Sequence, residues 1–289
     1  MNCEIPFDIA QTSQLYSQLT GVLAGFSFTA IVIAISRTLE GARQTAPDAP
    51  DEVKGSLDEA LPVMVCSFLG LVISSLTYSA IAGDAKNTGR ASIEELVGGL
   101  AFSISGILMF YSIVLMLYMA KSDDAAKHGR MILGQFITLV SFAYICNGIN
   151  DYNEVHFRLD GKPVPDWETG IIYGLLGLFS IYSIAGYLIY DKLWRLSGTD
   201  HQRAIKRLAT ASLLTVIACA VGVGVFSAYG SKPCDTPPPW VPISLMGVSF
   251  LVSVGFSVWL FLSRKEERRP WRGGSSSGPS DPSSSPLSA

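Results

Sequence analysis

The chain has 289 residues, of which 49% are hydrophobic and 16% charged, with a mean hydropathy of +0.36 and a formal net charge of −3. Soluble domains carry about 25% charged residues, and charge is shed where a chain must sit in lipid, because burying it there is costly. The composition therefore excludes an ordinary soluble globular protein, and the basic residues give no argument for a nucleic-acid partner.

Seven stretches contain no Asp, Glu, Lys, Arg or His: 9–36, 60–83, 96–120, 131–150, 169–190, 208–231 and 236–263. Crossing a hydrocarbon core of roughly 30 Å takes about 20 mostly apolar residues. Lipid offers the backbone no hydrogen bonds, so each stretch must be helical. The expected fold is all-α: a polytopic, multi-pass bundle of seven transmembrane helices near 15–36, 61–83, 96–120, 131–150, 169–190, 208–230 and 240–263. A short extracytoplasmic N-terminus, 1–14, precedes this domain of 15–263. A basic, then Ser/Pro/Gly-rich tail, 264–289, follows it, with too little apolar surface to fold.

In chain order, Met1 to Ala10 holds no Lys or Arg and lacks the layout of a secretory signal, so the first helix is expected to remain in the mature protein. That helix carries Gly21 and Gly25 as a GxxxG, with Gln14, Gln18 and Thr29 extending the same face. The second has Pro62 near its first turn, where a missing N–H costs little, and a small or hydroxyl face of Ser67, Gly70, Ser74 and Thr77. The third repeats the pattern with Gly99, Ser103 and Gly106, and the fourth with Gly134, Thr138, Ser141 and Gly148. Such residues let helices approach closely where no hydrophobic force drives them together. Gln18 and Gln135 stand out, because an amide in lipid must find a partner, and both are expected to face the bundle interior. Trp167 and Trp240 fall at the expected outer ends of the fifth and seventh helices, and Trp194 and Trp259 near the inner ends, at the depth indole prefers.

Lys and Arg set the orientation. With the N-terminus outside and the C-terminus cytoplasmic, the four cytoplasmic segments hold three, three, five and five basic residues, whereas all outer segments together hold five. The positive-inside bias thus favours this orientation in the cell membrane, and an odd helix count. The outer side is left acidic, and an acidic mouth concentrates cations.

Catalytic parts are missing. His128, His156 and His201 all lie outside the charge-free stretches, so neither a Ser–His pair nor a histidine zinc site can form within the membrane. No carboxylate lies inside a stretch, and no Gly-rich phosphate loop is present. The last stretch has no lysine, which a retinal Schiff base would need. The chain is therefore read as non-enzymatic and without a cofactor.

Three features remain as candidates. Gln18, Thr29, Gln135 and Asn147 are candidates for a polar pathway or interior face. Asn147, Asn150, Asp151 and Glu154 share a face at i, i+3, i+4 and i+7 if the fourth helix continues outward, and Asn150, Asp151 and Glu154 are candidate outer contacts for a hard cation. Cys3 and Cys234 both fall outside, where disulfides persist, and form a candidate pair. Expected partners are the lipid bilayer, further copies of the chain and a cytoplasmic protein bound through the tail.

Two functional classes follow. The first is a sensor, scaffold or partner-binding membrane component. The alternative is a passive channel or facilitator for a cation or small neutral solute. A channel requires one water-accessible path that includes Gln18, Thr29 and Gln135, whereas a scaffold packs those groups against one another.

Overall fold

The computed structural model of the chain describes residues 9–44, 52–83, 89–120, 122–159, 165–189, 201–229 and 240–262. These residues are almost wholly helical and contain no strand. The helices are α1 (Ile9–Gln44), α2 (Glu52–Ala82), α3 (Gly89–Met119), α4 (Asp123–Ile132), α5 (Thr138–Leu159), α6 (Asp166–Ile189), α7 (His201–Tyr229) and α8 (Trp240–Leu262). A π-helical segment, Leu133–Ile137, joins α4 directly to α5. Counted as continuous rods, seven helices are long and apolar enough to cross a membrane.

Most rods overrun the charge-free stretches, the third and the fourth among them. The third begins at Gly89, so Glu94 and Glu95 belong to the helix rather than to a loop. The fourth runs from Asp123 to Leu159, which turns Asp151 and Glu154 into helical positions as well. In each case the backbone keeps its i−4 hydrogen bonds past the last apolar residue, because a helix ends where its bonds end and not where its hydropathy does. Arg130, assigned by sequence to a cytoplasmic loop, is likewise buried within this rod.

The central element is α3. It touches α1, α2, α4, α5, α7 and α8, and 67% of its apolar span is buried, against 17% for α6 at the periphery. Small residues permit this crowding. A Cβ on Gly70 of α2 would lie 2.5 Å from Ser105 Oγ of α3, so only glycine fits there. The pairing of α1 with α2 rests on serines instead. Ser75 Oγ donates to the Ser17 carbonyl (2.9 Å), Ser17 Oγ donates to the Ser75 carbonyl (3.0 Å), and Ser79 Oγ lies 2.7 Å from Ser17 Oγ. On the other flank, Phe142 of α5, Phe179 of α6 and Phe250 of α8 form an aromatic triangle with centroids 5.4 to 6.0 Å apart. Ring contacts of this kind replace the water-driven force that lipid does not supply.

Candidate functional site

Gln18, Thr29 and Gln135, singled out by sequence for one path, sit in different surroundings. On α1 the buried positions are Ile9, Ser13, Thr20, Ala24, Ser27, Ile31 and Ala34. At 3.6 residues per turn, Gln18 lies on the opposite side of the helix from Thr20, and Thr29 opposite Ser27. Both are exposed, as are Gln14, Gly21 and Gly25. The interior placement expected for Gln18 is therefore corrected: α1 turns its serine stripe, not its amide stripe, to α2. Thr29 Oγ1 donates to the Gly25 carbonyl one turn back (2.9 Å), which meets its need locally. The face of Gln14 and Gln18 is thus turned away from the bundle, while Gly21 and Gly25 border α2. A shallow apolar groove of about 380 Å³ runs beside it, between Ala24 and Phe28 of α1 and Phe68 and Val72 of α2.

Gln135 does face inward and is 1% exposed. Neither Oε1 nor Nε2 has a hydrogen-bond partner among the described residues. The residue sits in the π-helical segment, where the i−4 pattern is broken. Here the Gly134 carbonyl accepts two side-chain hydroxyls, Thr138 Oγ1 from below (2.8 Å) and Ser257 Oγ from α8 (2.7 Å). The π turn thus ties the last helix to the fourth rod. Gln18, Thr29 and Gln135 lie on no common path.

A polar cavity opens elsewhere, between α1, α3 and α5, with a volume of about 280 Å³. From α1 it receives Thr12 and Tyr16; from α3, Glu95, Leu96 and Gly99; from α5, Tyr144, Ile145, Asn147, Gly148 and Asp151. The α5 residues Tyr144, Asn147, Gly148 and Asp151 follow the i, i+3, i+4, i+7 rule, so one helix face supplies them all. Asn147 Nδ2 donates to Asp151 Oδ2 (3.2 Å), which holds the carboxylate in place. Two glycines keep the space open. A Cβ on Gly148 would press on Leu96 at 3.3 Å, and one on Gly99 would touch Tyr144 at 3.6 Å and Tyr78 Oη at 3.7 Å.

Aromatic rings line and back this cavity. Tyr16 meets Tyr144 edge to face at 5.3 Å, and Tyr78 packs behind Tyr16 at 5.4 Å. Tyr78 is 0% exposed, and its hydroxyl has no hydrogen-bond partner among the described residues. The neighbouring carboxylates on α3 diverge. Glu95 lines the cavity, while Glu94 is fully buried on another face, 3.7 Å from Arg90 Nε.

Of the outer candidates, Asn147 and Asp151 line the cavity, whereas Asn150 and Glu154 do not. Sequence reasoning missed Glu95, because a stretch defined by absence of charge has to stop short of it. The usable signal was the spacing Glu95–Gly99 on α3 facing Tyr144–Gly148–Asp151 on α5. No group of three or more His, Cys, Asp or Glu among the described residues could hold a metal ion. Cys66, Cys146 and Cys219 are free thiols. The candidate pair Cys3 and Cys234 lies outside the described residues, as does the tail from 264 onward.

No family model matches the chain, and no similar curated protein or solved structure was found.

Proposed function

We propose that this chain is a non-enzymatic, multi-pass sensor of the cell membrane, which binds a small ligand in the cavity between α1, α3 and α5. The observation that carries the reading is the separation of its polar groups. A polar-lined cavity gathers two carboxylates, an amide and two tyrosines at one end of the bundle. Gln135 lies apart from it, and Gln18 and Thr29 are on the outer surface of α1. A pore would need these groups in line. A sensor needs only a site and a packed body to relay its occupancy. In this reading the Lys and Arg bias places the N-terminus and the Glu95–Asp151 end outside, and the tail in the cytoplasm within reach of a protein partner. Copies of the chain would pair through the exposed Gln18–Gly21–Gly25 face of α1, where amides in lipid gain by bonding one another.

The test is ion and solute flux in liposomes carrying the purified protein, beside protein-free liposomes, across several lipid compositions and voltages. Flux at the protein-free level is expected. Selective flux that Gln135→Leu abolishes would overturn the sensor reading in favour of a channel. Labelling of a cysteine placed at Asn150 from the outside only would support the orientation, and labelling from inside only would reverse it.

A further inference from the structure

We infer that the cavity ligand is a small organic ammonium ion, an inference that rests on the cavity being the sensor's binding site. Two of its polar lining groups are carboxylates, Glu95 and Asp151, and no lysine or arginine lines it. Like charges that share a cavity repel, and a cation between them removes that repulsion. Anions are therefore disfavoured as ligands, and a neutral molecule does nothing to offset the pair, whose repulsion only a proton or a cation relieves.

The rest of the wall separates an organic cation from a metal ion. Calcium asks for six to eight oxygen ligands, and no group of three or more His, Cys, Asp or Glu that could hold a metal exists among the described residues. The volume of about 280 Å³ equals roughly nine waters at ~30 Å³ each, far more than a bare ion fills. Beside Thr12 and Asn147, the lining also presents apolar and aromatic surface: Leu96, Ile145 and the rings of Tyr16 and Tyr144. Alkyl groups around a positive nitrogen suit such a wall, since aromatic rings attract cations while covering carbon.

An independent observation comes from Tyr78. Its hydroxyl is fully buried and has no partner among the described residues, and it comes up against the cavity wall at Gly99. A buried hydroxyl left without a bond costs free energy. The missing Gly99 side chain leaves this hydroxyl 3.7 Å from where a Cβ would stand, beside Tyr144 of the cavity wall, and a hydroxyl on the ligand is the group that would meet it there. The chemistry recognised is thus an alkylammonium carrying a polar end.

Choline is a suitable probe, set against its neutral isostere in which carbon replaces nitrogen, with calcium chloride as the metal control. Binding to the full chain in lipid nanodiscs would be read by tyrosine and tryptophan fluorescence and by thermal shift. Choline is expected to bind saturably and at least about ten-fold tighter than the neutral isostere, the scale of one charged contact. Glu95→Gln and Asp151→Asn should each weaken choline by roughly ten-fold, whereas Glu154→Gln and Asn150→Ala, which do not line the cavity, should stay within about two-fold. Tyr144→Leu should weaken choline without restoring the isostere. Equal binding of choline and isostere would overturn the inference, as would saturable calcium binding that displaces choline, or an equal loss in Glu154→Gln. If a carboxylate variant does not fold, the wild-type comparison of choline with its isostere still decides. Choline that binds and also crosses liposomes would sink the sensor reading and keep the ammonium site. An isostere that binds as well as choline, with no flux, would do the reverse.

Discussion

Two regions of this bundle bury polar side chains, and they do so in opposite ways. At the Glu95–Asp151 end, polar groups from three helices converge on open space, and glycines at 99 and 148 keep it open. In the π-helical segment, Gln135 is more deeply buried, at 1% exposed, and its amide has no partner among the described residues. The backbone around Gln135 is well satisfied: the Gly134 carbonyl accepts hydroxyls from both Thr138 and Ser257. The difference teaches that a buried polar residue is not by itself a site. What makes one is room for a ligand and several groups aimed at the same room. At the π turn, polar groups instead join helices, through the Gly134 carbonyl.

The largest effect should come from closing a tight contact in the packed body. Gly70→Ala sets a Cβ against Ser105, whose hydroxyl is held by the Ala101 carbonyl at 2.8 Å. A loss of about 1–3 kcal/mol is expected, as for other overpacked sites, read by thermal unfolding in detergent and partly restored by Ser105→Gly. The matched change at the cavity end, Gly99→Ala, meets Tyr144 only at ordinary contact distance, 3.6 Å. It should therefore cost far less stability, and a loss equal to that of Gly70→Ala would mean the two regions are packed alike.

Gln135→Leu is expected to stabilise the fold by about 1–2 kcal/mol, since it removes an amide with no partner and nearly conserves volume. If the variant unfolds more easily instead, the amide is bonded, and the contrast with the cavity end fails. Ser257→Ala should cost about 1 kcal/mol, the usual worth of one buried hydrogen bond, and no more, because Thr138 still serves the Gly134 carbonyl. A larger loss would show that α8 depends on the π turn for its position. The smallest effect belongs to Gln18→Leu on the exposed face of α1, within about 0.5 kcal/mol for the single chain. Chemical crosslinking of that variant should fall if this face joins two copies, while its unfolding temperature stays in place.

Much of the fold was legible beforehand and less of the site. The stretches without charge located seven membrane-length helices because lipid forbids both charge and unbonded backbone. Helix ends were less legible. Glu95 was placed outside the third helix by a rule that stops at the first charge, yet the helix continues to Gly89. Asp151 and Asn147 were found on a shared face, but that face was taken to include Asn150 and Glu154, when the cavity takes Tyr144 and Gly148 instead.

By itself, then, the sequence determined that the chain is helical, how many membrane-length helices it has and roughly where they lie, because hydrogen bonding and the cost of charge act locally along one segment. Only the tertiary structure decided which face of each helix looks inward. In a soluble helix the apolar face marks the core, but here lipid and bundle interior are both apolar, so hydropathy carries no phase. Gln18 outside, Gln135 inside and Glu95 in the cavity are settled by small residues and serines on neighbouring helices, and those contacts exist only once the helices have met.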